Sequence, residues 1–132
     1  MEHRKAEHKD AEYYQEFSLA GKNIIYIDFS QVKSIDEYSV AFEKINKAIA
    51  NYPEKSLYTI TNMAGTRIDT LSRDNFIKYA VNNKPYVKKG VLIGLDGVTK
   101  MIVGTIIKGA ERDDFHIAFT KEKAIEWILR QD

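Results

Sequence analysis

The alternation of apolar and polar residues divides the chain into strand-like and helix-like runs. Period-two alternation marks Tyr13 to Leu19 and Asn23 to Phe29, and the turn-prone Ala20-Gly21-Lys22 between them predicts a β-hairpin. A helical stripe follows, with Tyr38, Ala41, Phe42, Ile45, Ala48, Ile49 and Tyr52 recurring on one face. Ser34-Ile35-Asp36-Glu37 has capping-box spacing at its start, and Pro53 stops it. Residues 56–61 read as the next strand. A helix over 70–83 is then expected to bury Phe76, Ile77, Ala80 and Val81. Val91 to Leu95 is a short β run closed by Asp96-Gly97, and 98–108 is a very apolar helix. Phe115 to Phe119 is the last strand, and Thr120 caps a closing helix carrying Ala124, Ile125, Ile128 and Leu129.

Strands alternating with helices predict an α/β fold: a mostly parallel sheet of about five strands, opened by an N-terminal hairpin and continued by β-α repeats. The alternation collects Ile25, Ile27, Phe29, Val91, Ile93, Leu95, Phe115, Ile117 and Phe119 on one side. Tyr26, Asp28, Leu92, Gly94, His116 and Ala118 fall on the other. Strands buried on both faces read as continuous apolar runs, so helices are expected mainly on one face. Tyr26, Leu92 and His116, on the half-covered second face, become candidates to meet a partner.

Length and charge narrow the class. At 132 residues the chain has the size of one domain, read as a charged arm over 1–11 and a domain over 12–132. The net charge of +1 carries no basic stripe, which argues against nucleic acid. The N-terminus lacks the apolar core of a signal peptide, and the run from Met101 to Ile107 is too short to span a bilayer. With no cysteine there is no thiol chemistry, which fits a soluble protein of the reducing cytoplasm.

Two stretches carry a resemblance. One is Tyr26-Ile-Asp-Phe-Ser-Gln-Val-Lys-Ser-Ile-Asp-Glu-Tyr-Ser39; the other is Asn83-Lys-Pro-Tyr-Val-Lys-Lys-Gly-Val-Leu-Ile-Gly-Leu-Asp-Gly-Val-Thr-Lys100, with Phe119 and the closing Ala124-Ile-Glu-Trp-Ile-Leu129. Together they resemble the STAS-like domains, among them anti-sigma-factor antagonists and small SpoIIAA-like bacterial proteins of unassigned role. The resemblance implies a sheet wound one way with helices gathered on one side, and a binding module. Such antagonists are switched by phosphorylation of a serine at the start of the helix after Ile-Asp. Glu37 stands there in this chain, which removes the phosphate acceptor. STAS-like folds also resemble the lipid-binding lobe of CRAL-TRIO carriers, which implies an apolar ligand beneath the 98–108 helix as an alternative.

The remaining candidates are local. Asp96 and Gly97 sit in a strand-to-helix turn where free N–H groups face outward, without the spacing of a phosphate-binding loop. Gly97 is expected to relieve strain there. Lys84, Lys88 and Lys89 flank Tyr86, a cluster suited to an acidic partner or to a helix end. His3 and His8 stand five apart, a poor spacing for a shared metal, and no metal or cofactor is expected. Asp28, Asp36, Glu37, Asp69 and Asp96 gather near strand exits, where helix capping explains them more simply than acid–base work. No nucleophile elbow accompanies His116. The sequence thus points to a non-enzymatic binding or regulatory module that contacts a protein partner or itself, as a homo-oligomer. The alternative is a carrier of a small apolar molecule.

Overall fold

The computed structural model describes residues 9–132, with side chains from Ala11 onward. His3 and His8 lie outside the described residues, as does most of the arm over 1–11. The chain enters the sheet at a two-residue strand, β1 (Lys9–Asp10), followed by β2 (Tyr14–Leu19) and β3 (Lys22–Asp28). Ala20 and Gly21 take φ of 51° and 79°, so two residues reverse the chain and set Leu19 opposite Lys22. A turn of this hand matches the right-handed twist of paired strands. The chain then alternates through α1 (Ile35–Ile49), β4 (Leu57–Asn62), α2 (Thr70–Asn83), β5 (Val87–Ile93), α3 (Gly97–Gly109), β6 (Phe115–Ile117) and α4 (Lys121–Leu129).

The strands lie in the sheet in chain order, antiparallel from β1 to β3 and parallel from β3 to β6. A sheet extended always in one direction by right-handed crossovers gathers its crossover helices on one face. Accordingly α1, α2 and α3 share one core, while α4 returns to cover β4 and β5 on the other side. At the centre of the first core, the Phe29 ring meets those of Tyr38, Phe42, Phe76 and Tyr79 at centroid distances of 5.6 to 5.9 Å, mostly edge-on. Edge-to-face packing of this kind adds to area burial. The second core packs Ile24, Tyr58, Ile60, Val91 and Ile93 under Ala124 and Ile128.

This arrangement corrects the sequence-based faces. Ile27, Thr61 and Leu92 stand in register, so Leu92 belongs with Ile25 and Ile27 under the crossover helices. Val91 and Ile93 lie with Tyr26 and His116 on the α4 side. The strand also starts four residues earlier than expected, at Val87. Because Val91, Leu92 and Ile93 are all buried, the run has no polar residue to mark its phase. In α2, Ser72 and Asn83 are buried while Val81 is 47 % exposed, so the helix packs through a partly polar stripe.

The end of the sheet where the parallel strands begin is tied by one buried cation. The Arg112 side chain is 1 % exposed and forms a two-pronged pair with Asp114, both bonds at 2.8 Å. Its Nη1 also donates to the Ala80 carbonyl at 2.6 Å and to Asn83 Oδ1 at 2.7 Å. Asn83 donates onward to Asn46, which donates to the Tyr79 carbonyl. The chain joins α1, α2 and the segment entering β6, and every donor in it finds an acceptor, as a buried charge requires.

Candidate functional site

The β–α turns open at the opposite rim, and their acidic residues are each engaged locally. Asp28 Oδ1 accepts from the Ser30 N–H at 2.9 Å and its hydroxyl at 2.6 Å. Ser34 Oγ accepts from the Glu37 N–H at 3.2 Å, while Glu37 Oε1 accepts from the Lys33 N–H at 2.8 Å. The expected capping box is therefore displaced by one residue, with the glutamate reaching the position before the cap. Asp69 caps α2 in a complete box with Ser72, and Asp96 caps α3 through the Thr99 N–H at 2.7 Å. Those backbone donors hold both aspartates below the usual carboxylate range. Asp36 is exposed in the first turn of α1, near the positive end of its dipole.

The glycine that shapes the β5–α3 turn is Gly94 rather than Gly97. Gly94 has φ of +78°, and a Cβ there would come within 2.7 Å of the Ala64 backbone nitrogen. Gly97 is the first residue of α3 and has open space around it. Close approach of Gly94 brings this turn against the loop after β4, with Leu95 half-buried against the first core.

The edge at β6 exposes apolar side chains. A hollow of about 280 Å³ is lined by Gly94, Leu95, Lys100, Ile117, Ala118 and Phe119. Ile117 is 43 % exposed and Phe119 is 95 % exposed, although both were expected on the core side. Phe119 follows the end of β6, where the chain bends into the α4 cap, and the bend carries its ring outside the sheet. Val98 and Met101, 68 % and 71 % exposed, project from the first turns of α3 nearby in sequence. A one-way sheet must end on its last strand, so the exposure of β6 was readable from topology; the outward aim of Phe119 was not.

The other residues raised by sequence do not gather into one site. Tyr26 accepts from Asn62 Nδ2 at 3.2 Å and lies 4.2 Å beneath Lys121 Nζ. Burial pushes its phenol above the usual range, partly offset by the Asn62 bond. His116 stacks flat on Trp127 of α4, with centroids 4.3 Å apart and planes 3° apart. Leu92, 5 % exposed in the opposite core, is separated from both by the sheet. The Lys84–Lys89 cluster is split as well. Lys84 ends α2 and its carbonyl accepts from Lys55, while Tyr86 packs against the first core. Lys88 lies in β5 over the Tyr58 ring and donates to the Asp132 carbonyl.

Beneath α2 and α3 lies a cavity of about 50 Å³, lined mainly by apolar residues including Phe29, Leu92, Val103 and Ile106, with Thr59, Thr61 and Asn83 among its polar members. Ligand pockets for drug-sized molecules run to roughly 300–1,000 Å³, well above this volume. No helix among the described residues is long and apolar enough to cross a membrane.

Among the described residues these elements define an α/β fold with a mixed sheet, four helices and an unpaired β6 edge. No family model and no curated protein matches the sequence. Among solved structures, the NMR structure of the protein TM1081 aligns over 99 % of this chain and 100 % of that one, with a TM-score of 0.60 and 10 % identity. At that identity the likeness is one of fold.

Proposed function

We propose that this chain is a non-enzymatic, STAS-like binding module of the cytoplasm that works through protein–protein contact at its β6 edge. One observation carries the reading: Phe119 and Ile117 expose apolar surface beside an open strand edge and a hollow. A lone exposed residue is ordinary, whereas an apolar group at an unpaired edge is a surface that soluble proteins normally protect. The one-way sheet and the absence of a phosphate acceptor at Glu37 agree with a constitutive module rather than a kinase-switched one. Affinity purification of the tagged chain from its own host tests the reading. The wild-type chain retains a protein partner or an untagged copy of itself, and Phe119→Lys loses it. Equal retention by both overturns the assignment of the surface.

A second reading, a carrier for a small apolar molecule, draws on the cavity beneath α3. Its volume limits an occupant to a very small molecule unless α3 moves outward. Native mass spectrometry of chain purified from its host decides it: a bound lipid supports the carrier, and the bare protein mass removes it.

A further inference from the structure

The outer groove between α1 and α2 gathers cations that the chain as a whole balances. The two helices lie side by side and face each other with stripes at helical spacing. On α1 the stripe includes Phe42, Asn46, Lys47 and Ala50, and on α2 it includes Asn75, Lys78, Tyr79 and Asn82. Between them lies a hollow of about 950 Å³, open to solvent. Its floor is aromatic, with the Phe42 and Tyr79 rings stacked at 4.5 Å between centroids and Tyr86 following beyond the end of α2.

The charges on this groove are unequal. Three lysines (Lys44, Lys47 and Lys78) line it against a single acid, Glu43, whereas the whole chain has 20 basic and 19 acidic residues. Lys44 reaches Glu12 at 3.1 Å, in a pair more than half exposed on both sides. Lys47 and Lys78 have no carboxylate partner among the described residues. Asn46 is spent on the network around Arg112, but the Asn75 and Asn82 amides bond to nothing else among the described residues. Of the lysine–tyrosine cluster raised by sequence, Tyr86 lines this groove, and the cations around it come from α1 and α2 instead.

We infer that this groove docks an acidic, amphipathic helix of a partner protein. The backbone groups of α1 and α2 are bonded within their own helices, so an occupant must satisfy its own backbone, as a helix does. Three turns of helix match the roughly 17 Å from Ser39 to Ala50 along α1. Apolar side chains at spacings of three and four rest on the rings, and carboxylates on its flanks reach Lys47 and Lys78. Phosphate recognition favours arginine forks and helix N-termini. The groove has neither, since its cations are lysines in the C-terminal halves of their helices. It shares no residue with the hollow at β6, so it stands or falls apart from the contact proposed there.

Fluorescence anisotropy of the whole chain with synthetic peptides tests the inference. The probe is a dye-labelled peptide of leucine, glutamate and alanine, about five helical turns or roughly 18 residues long, with leucine at helical spacing. It is expected to bind saturably with a micromolar dissociation constant and to shift the amide resonances of the facing stripes. Lys47→Gln combined with Lys78→Gln should weaken binding about tenfold, with thermal unfolding unchanged. Lys108→Gln combined with Lys123→Gln removes the same charge from exposed sites on α3 and α4 and should leave binding as it is. Absence of binding, an equal loss in both double variants, or equal binding of a peptide with its leucines scrambled overturns the inference. Tighter binding of a single-stranded oligothymidylate than of the peptide overturns it in favour of nucleic acid. Phe119→Lys should leave peptide binding unaltered even where it abolishes the contact at β6, and parallel loss of both would overturn the separate groove.

Discussion

The two edges of the sheet are built in opposite ways. At one edge the outermost strand is Lys9–Asp10, two charged residues paired to Glu16 and Gln15. Behind it, Glu16 accepts from the Tyr52 hydroxyl at 2.6 Å, so the polar groups of this edge are tied to α1's end. At the other edge, β6 is also short, but it carries Phe, His and Ile and runs out into an exposed Phe119. Brevity and charge are the two common protections of a strand edge. Among the described residues the first edge carries charge, whereas the second has only brevity. The contact role proposed for β6 rests on this contrast between the two edges.

The largest expected effect comes from releasing the clamp that holds the apolar edge. Arg112→Ala leaves Asp114 and Asn83 without their buried partner and should lower unfolding stability by about 3–5 kcal/mol, measured by chemical denaturation. Gly90→Ala acts on the same strand from beneath. Its Cβ would displace the Phe115 ring, with an expected loss of about 1–3 kcal/mol and a loosened β6. Both changes should weaken any contact made through β6, whereas Glu16→Lys at the opposite edge should leave association as it is. Ser34→Ala removes the cap of α1, remote from either edge, and should cost about 1 kcal/mol without altering association.

The smallest effect is one of pH. Asp69 and Asp96 have folded-state pKa values below those of the unfolded chain, because backbone N–H groups bind their charged forms. The unfolded chain therefore binds protons first as pH falls, and stability rises with pH across that window. The caps' contribution is full above the ordinary carboxylate range and fades as pH drops through the lowered folded values. Asp69→Asn and Asp96→Asn should each flatten the acid limb of a stability–pH profile and leave its neutral part sloping as before.

Much of this architecture is legible in the sequence because its signals are local. Ser34, Asp69, Asp96 and Thr120 announce four helix starts, and the stripe from Tyr38 to Ile49 is buried as its spacing requires. The phase of β5 was not legible, because apolar residues fill both of its faces and period two loses contrast. The pairing of Arg112 with Asn83 joins residues 29 apart, and that of His116 with Trp127 depends on how α4 folds back over the sheet, so neither shows as a periodic pattern in the sequence. The open edge lies between these cases. Winding order makes β6 the last strand, but the outward turn of Phe119 depends on where the α4 cap begins.

Hydrogen–deuterium exchange along β6, in the dilute chain alone and with its retained protein partner or second copy bound, tests the role of this edge most directly. The amides of His116 and Ala118 face β5 and should be protected in both states. That of Ile117 should exchange freely in the dilute chain and become protected when the partner binds. Protection of Ile117 that is the same with and without the partner would contradict the account.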